Sequence, residues 1–368
     1  MCAGNSWKQR GKRCGYEGEK TMLTVYTLAN AADWDKTVRS FREYDVYYLS
    51  GYAKAFQLHG DGAPLLFHYE GDGIRGINVV MKRDVAQDPH FVGRLPEGWY
   101  FDFATPYGYG GWLLEGKGNK VALFDAYDSW CRENGIISEF VRFHPVLENQ
   151  SFAWDGYEVI CLGATIAMDL SAPEAVWENL TSKNRNMIRK AKKNGLRVYS
   201  GRYPEIYKTF REIYNATMDK DHAEKYYYFS PLFYDSILHD LPHSAQVFYA
   251  QTEDGIVAAA SIILAANGRM SYHLSGSRRE LQHLAPTNLL LYEAALWGCA
   301  SGYKTLHLGG GVGSGEDSLY QFKKAFYRGE PLRFHIGRKT FLPEVYEKLT
   351  AMRTDLSENS GFFPRYRA

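Results

Sequence analysis

Apolar positions first recur at Met22-Leu23-Thr24-Val25-Tyr26, which predicts an opening strand. Residues 30–42 place Ala32, Trp34, Val38 and Phe41 at helical spacing. Two strand-like runs, 65–70 and 76–82, flank Gly71-Asp72-Gly73, the composition of a hairpin turn. A helix over 122–134, stopped by Gly135, and a strand over 136–143 complete a first series. A second series opens after Gly163 with a strand over 165–170, then Ser171 as N-cap and Pro173 in the first turn of a helix. Further helices are predicted over 205–219 and within 231–239, strands over 245–251, 256–266 and 269–275, a helix over 286–301 and a strand over 305–308. Both series read as strand, helices, antiparallel strands, helix and strand, as in a duplicated unit, with no residue-level repeat and no low-complexity linker between them. The class is therefore α/β with mixed sheets.

Composition narrows the picture by exclusion. With 45% hydrophobic residues and 43 Lys+Arg against 42 Asp+Glu, the chain of 368 residues is not a disordered polyelectrolyte. A net charge of +1 removes whole-surface attraction to polyanions, so a nucleic acid has to be met by a local basic patch. The longest apolar run, 256–266, is far short of the ~20 residues that cross a bilayer and reads as a buried strand. Five scattered cysteines (Cys2, Cys14, Cys131, Cys161 and Cys299), without a CxxC pair, argue against a disulfide framework or a zinc site and fit a reduced cytoplasm. Residues 1–21, rich in Gly and Lys/Arg and lacking an apolar core, are read as a disordered or mis-called extension rather than a secretory signal.

Four segments could carry chemistry. Residues 181–195 form a capped helix on which Arg185, Arg189 and Lys192 share a face opposite Met187, Ile188 and Ala191. Lys183 and Arg185 sit in its first turn, where the macrodipole disfavours cations, so either an anionic partner or an ordinary solvated face accounts for them. Residues 306–326 run from a strand through a glycine-dense loop into a short aromatic and lysine helix; the loop lacks the GxxxxGK[ST] spacing of a phosphate cradle and is either a ligand approach or a mobile connection. Ala104-Thr-Pro-Tyr-Gly-Tyr-Gly-Gly111 could line a groove with Tyr107 and Tyr109 or merely cover a core. Tyr226-Tyr227-Tyr228 fits neither periodicity and reads as packing. No nucleophilic triad, metal cluster or carboxylate dyad stands out, which points to transfer by positioning and electrostatics.

On these residues the chain resembles the FemABX family of aminoacyltransferases, which build peptidoglycan bridges, over about residues 22–338. The resemblance is carried by Ser182-Lys-Asn-Arg-Asn-Met-Ile-Arg-Lys-Ala191, Pro106-Tyr-Gly-Tyr-Gly-Gly111, the glycine-rich loop ending in Phe322-Lys323-Lys324-Ala325-Phe326, and Gly51-Tyr-Ala-Lys54. It implies two GNAT-like domains in tandem, 22–163 with 338–368 and then 164–337. The stretch 197–240 is too short and interrupted for the coiled-coil arm of some members. It implies amide formation between an amino acid, delivered by aminoacyl-tRNA, and an amino group of a UDP-linked or lipid-linked muropeptide, in a cytoplasmic monomer with peripheral membrane contact and without cofactor or metal. Lys323, preceded by Phe322, would stand near the oxyanion, and Lys54 would hold a precursor phosphate. Tyr107, Tyr109, Tyr228 and Tyr272 would line the peptide or sugar groove, and Arg185 and Arg189 would contact tRNA or precursor phosphate. Two other readings stand beside it: an acyl-CoA-dependent GNAT N-acyltransferase, and a non-catalytic RNA- or precursor-binding module on the same fold. The usual CoA turn would fall at 279–288, which has no glycine, carries Glu280 and loses a backbone N–H at Pro286.

Overall fold

The computed structural model describes residues 22–153, 156–356 and 361–368, so the expected N-terminal extension lies outside the described residues. The first half opens with β1 (Met22–Tyr26), α1 (Ala31–Ser40) and α2 (Ser50–His59). The hairpin of β2 (Ala63–Gly71) and β3 (Ile74–Asp84) precedes β4 (Phe101–Ala104), β5 (Leu113–Gly116), α3 (Lys120–Glu133) and β6 (Ile136–Arg142). β7 (Glu158–Asp169) leads into α4 (Pro173–Asn179), α5 (Ser182–Lys193), β8 (Arg197–Gly201), α6 (Pro204–Lys220) and α7 (Pro231–Asp240). The chain then forms β9 (Ala245–Gln251), β10 (Val257–Ala266), β11 (Arg269–Ser277), α8 (Pro286–Ala300) and β12 (Thr305–Gly309). α9 (Ser318–Lys324), β13 (Leu332–Thr340) and α10 (Pro343–Ala351) complete it.

The duplication is explicit in the strand pairing. From one edge inward the order is β1-β2-β3-β4-β6-β13, and from the other it is β8-β9-β10-β11-β12-β7. Both paths pair antiparallel throughout except at one step, β4 with β6 and β11 with β12, which are parallel and each joined through a helix, α3 or α8. The two paths meet at β13 and β7, so one sheet passes through both halves of the α/β molecule. β7 makes the junction because its first part, to Thr165, pairs with β13 while Ile166 to Asp169 pairs with β12.

The parallel pair in the second half opens a wedge. β11 continues to Ser277 but contacts β12 only from Arg269 to Ser271, opposite Thr305 to His307. Beyond that point β11 carries a bulge: Ile262 faces Leu274 and Ile263 faces Tyr272, which leaves His273 without a partner on β10. Bulges re-aim side chains, and this one turns His273 toward the first half. Across the sheet, Ile188 and Ala191 of α5 pack with Leu289, Leu290 and Ala294 of α8. On the other face, α2, α6 and α7 share a core with β9 and β10. Gly51 permits the direct contact of α2 with α7, since a Cβ there would lie 2.5 Å from the Asp240 carbonyl oxygen. The C-terminal segment returns to the first half, where Tyr366 is buried and its hydroxyl donates to Asp102 at 3.1 Å.

Several sequence expectations shift. β7 begins at Glu158, well before the predicted 165, because its first residues are half-exposed and do not alternate cleanly. Ser171 is not the cap of α4: Ala172 holds that position without a side-chain hydrogen bond, while the Ser171 N–H donates to Asp169. The unpredicted strands β4, β5, β8 and β13 are short or interspersed with charge. The longest described helix, α6, has 17 residues, so 197–240 holds no coiled-coil arm. No described helix is long and apolar enough to cross a membrane.

Candidate active site

The tyrosine loop leaves the end of β4, and side chains from remote elements hold it carbonyl by carbonyl. Tyr52 donates to the carbonyl of Tyr107, and Arg142 Nε to that of Gly108 at 2.9 Å. Asn149 donates to Gly110 at 2.8 Å and to Trp112 at 3.2 Å, and Tyr48 to Gly111 at 2.7 Å. A buried loop satisfied in this way is pre-organised rather than loosely folded. Gly108, at φ +108°, is required because a Cβ there would meet the Tyr47 ring at 2.4 Å. The loop therefore presents Tyr107 and Tyr109 as fixed rings.

The glycine-rich loop after β12 is equally tied down. Asp317 caps α9 by accepting from Tyr320 N at 2.9 Å, and its other oxygen accepts from Val312 N at 3.0 Å, closing the loop on itself. These backbone donors hold its carboxyl below the usual range. α9 turns Lys323 inward until it is only 8% exposed, and its Nζ donates to the Gly310 carbonyl at 2.6 Å. Burial lowers the ammonium to about 8, with Asp317 opposing the shift. Gly309, at φ +79°, leaves a bare spot beside it: a Cβ there would sit 3.3 Å from Lys323 Nζ and 3.9 Å from the Tyr109 hydroxyl. Two hydrogen-bond donors from opposite halves of the molecule thus converge on one small space.

Around that space lies a continuous set of rings. Tyr109 stands 5.1 Å from His307, 5.5 Å from His144 and 5.6 Å from Tyr47, centroid to centroid. Burial raises Tyr109 to about 12 against the opposing charge of Arg142, so its hydroxyl remains a donor. Tyr47 continues to Tyr52 at 5.1 Å, Tyr52 to His273 at 5.7 Å, and His273 to Tyr107 at 5.8 Å. The rings come from both halves, and a substrate contacting Lys323 and Tyr107 would lie across them.

The other sequence candidates lie outside this space. Lys54 on α2 is half-exposed and reaches across to Asp240 of α7, with Nζ 2.9 Å from its nearer oxygen. Arg185 donates to Ser182 at 3.3 Å, and Arg189 lies over the Trp177 ring at 5.2 Å; both are on the outer side of α5, away from the rings. Tyr228 donates to Asp219 on α6, and it is Tyr226 and Tyr227 that approach Tyr107, at 6.2 and 6.3 Å. Tyr272 occupies the opposite face of β11, in the core with α8. Phe322 packs edge-on to Phe326 at 5.3 Å and so anchors α9 rather than facing the space. Lys324, next along α9, donates to the Gly329 carbonyl at 2.6 Å.

Sequence reasoning missed Tyr47, Arg142, His144, His273 and His307, each a single residue in a strand, loop or one-turn 3-10 helix with no spacing signal. It also missed what Asn184 does within the SKNRNMIRKA segment. That residue is buried, accepts from Asn288 of α8 at 2.9 Å and donates to the Ala325 carbonyl just past α9 at 3.2 Å, bracing the helix that carries Lys323.

Residues 182–324 match the model of the Acetyltransferase (GNAT) domain family. The structure called FemX superposes with a TM-score of 0.63 at 14% identity, covering 89% of this chain and 99% of that one. The chain therefore has a fold similar to that of FemX. A conserved protein of unknown function from Bacteroides thetaiotaomicron aligns with a TM-score of 0.56 at 10% identity, over 86% of this chain and 99% of that one. The C-terminal domain (DUF2156) of a protein named as a lysylphosphatidylglycerol synthetase, from Agrobacterium fabrum, aligns at 0.53 and 13% identity over 88% and 96%. No curated protein sequence matches the chain. The expected tandem GNAT-like α/β architecture is what the paired halves show, and the matched domain is that of acyltransferases.

Proposed function

We propose that the protein moves an aminoacyl group from aminoacyl-tRNA to an amino group of a peptidoglycan precursor peptide, forming an amide. The observation that supports this most is the buried Lys323 ammonium set against the bare face of Gly309, with the Tyr109 hydroxyl opposite. Attack of an amine on the ester carbonyl places negative charge on the carbonyl oxygen. A fixed cation and a phenol in a water-poor site stabilise that charge far better than water does. A pocket lined by aromatic rings suits an uncharged amine and a carbonyl.

The donor reading gains support from the start of α8. Its N-cap is Ala285 with φ +59° and no side-chain cap, and Pro286 follows at the first position, so the turn offers a pyrophosphate few free N–H groups. The α5 helix carries exposed cations instead, Lys183, Arg189, Lys190 and Lys193. Ribonuclease treatment of the donor should abolish transfer. Arg189→Glu should weaken donor binding and reduce its salt slope by roughly one, since one phosphate contact is lost. Lys192→Glu should do less, because Glu293 already neutralises that lysine at 2.8 Å. Equal salt slopes in wild type and Arg189→Glu would remove this face from the donor site.

On the acceptor side, Lys54 is held by Asp240 at the seam of α2 and α7 and would exchange that carboxylate for a precursor phosphate. Lys54→Ala is expected to raise the acceptor KM with little change in kcat, because a contact remote from the reacting amine acts alike on ground and transition states. An unchanged KM in a variant of normal stability would leave Lys54 as an inter-helix ion pair only. On this reading the first domain is 22–163 with 338–368 and the second 164–337, the enzyme works in the cytoplasm as a monomer, and its acceptor is UDP-linked or lipid-linked.

A further inference from the structure

Amide formation by an attacking amine leaves a proton on the new nitrogen, and an ammonium at Lys323 cannot receive it. Three histidines stand among the rings between the halves. His144 is engaged at both nitrogens: Nδ1 accepts from Val146 N at 3.2 Å and Leu147 N at 3.3 Å, so Nε2 carries the hydrogen and donates it to Asp45 at 3.1 Å. His273 is enclosed by Tyr52, Phe56 and Tyr107, with centroids 5.7 to 6.2 Å away, at the far end of the ring set from Lys323.

The buried Nε2 of His273 also lacks a partner, so His307 differs from His144 by its free nitrogen and from His273 by its place beside Lys323. It sits on β12 two residues before Gly309, where β11 and β12 part, and is 3% exposed. Its ring lies 5.1 Å from Tyr109 and 6.4 Å from His144, yet its buried Nε2 has no hydrogen-bond partner. A buried nitrogen of this kind is destabilising unless something occupies the space before it. The groups facing it are Lys323 from α9, His144 from the loop after β6 and Tyr109 from the tyrosine loop. Burial first, then His144 and Lys323, keep the imidazole neutral, the form that accepts a proton.

We infer that His307 Nε2 receives the proton of the attacking amine and returns it to the leaving oxygen. The N–C bond forms and the C–O ester bond breaks. The proton passes from nitrogen to Nε2 and then to the departing hydroxyl, so protons and electrons balance without a co-reactant. Once bonded to the tetrahedral carbon, the ammonium nitrogen is acidic enough for a neutral imidazole to take its proton. His144, fixed by Asp45, orients the neighbouring rings and is a positioning residue. This inference rests on the aminoacyl-transfer reading.

Two measurements test it. In single-turnover transfer from charged tRNA, His307→Gln should lose about 10² to 10³ in rate with acceptor KM unchanged, and His307→Ala should recover part of the loss on addition of imidazole. An undiminished rate in folded His307→Gln overturns the assignment. Independently of any donor or variant, ¹⁵N spectra of histidine-labelled wild-type protein at pH 7 should show His307 neutral with Nε2 unprotonated. A hydrogen on Nε2 overturns it as well. Absence of transfer from every charged tRNA would instead defeat the aminoacyl-transfer reading, while the tautomer still decides whether Nε2 is free to accept a proton.

Discussion

Lys323→Met is expected to lose about 10² to 10³ in kcat, roughly 3 to 4 kcal/mol of transition-state stabilisation, while acceptor binding persists. Lys324→Met, one residue on, should keep most of its turnover, because that side chain is already directed to Gly329 outside the ring set. The pH dependence carries the same signature. Lys323 is protonated below about 8, so the wild type should lose its Lys323-dependent rate as pH rises through that value, and the residual activity of Lys323→Met should lack this limb. Stability should move the other way. The unfolded lysine binds its proton up to its ordinary value near 10.5 and the folded one only to about 8, so wild-type stability rises with pH across that window. The Met variant should lack that slope and should melt no lower than wild type at pH 7, which separates lost chemistry from lost folding. Equal, small kcat losses at 323 and 324 would remove Lys323 from the mechanism.

Gly309→Ala is expected to reduce kcat by about 10², because a methyl 3.3 Å from Lys323 Nζ fills the space where the oxyanion would form and pushes the ammonium aside. The backbone at φ +79° adds strain of roughly 1 to 2 kcal/mol, to be read separately in the melting temperature. Gly313→Ala is a suitable control. It also has positive φ, at +59°, but nothing lies within 4 Å of its Cβ position, so it should show the strain without the loss of turnover. Matching kcat values in the two variants would mean that the bare face of Gly309 is not where the reaction occurs.

The sequence made the strongly patterned elements legible. The apolar run of β10 is buried along nearly its whole length, the hairpin of β2 and β3 turns at Asp72-Gly73, and α5 buries Ile188 and Ala191 while Arg189 faces out. β13 escaped because its inward Phe334 and Ile336 alternate with Arg333 and His335 and are followed by Arg338 and Lys339, whose polarity masks a strand buried between β6 and β7. Lys323 could be singled out because the family resemblance implies a role for the Phe322-Lys323 pair that closes the glycine-rich loop. Its surroundings could not, because they are assembled from residues far apart in the chain. Tyr48 and Gly111 are 63 positions apart, Tyr52 and Tyr107 are 55 apart, and Arg142 reaches back 34 to Gly108. Tyr228 and Tyr272 show the same limit from the other side: strand alternation cannot reveal that the bulge at His273 sends Tyr272 and Leu274 to different cores.

The central claim is an aminoacyl-tRNA donor, and it is tested most directly by supplying one amine-bearing muropeptide with two donors, tRNA charged with labelled amino acid and labelled acetyl-CoA. The expected result is an amide-linked amino acid on the precursor, lost when the tRNA is digested beforehand, with no acetylated product. Rapid acetyl transfer from acetyl-CoA, indifferent to ribonuclease and without any incorporation from charged tRNA, would contradict the account.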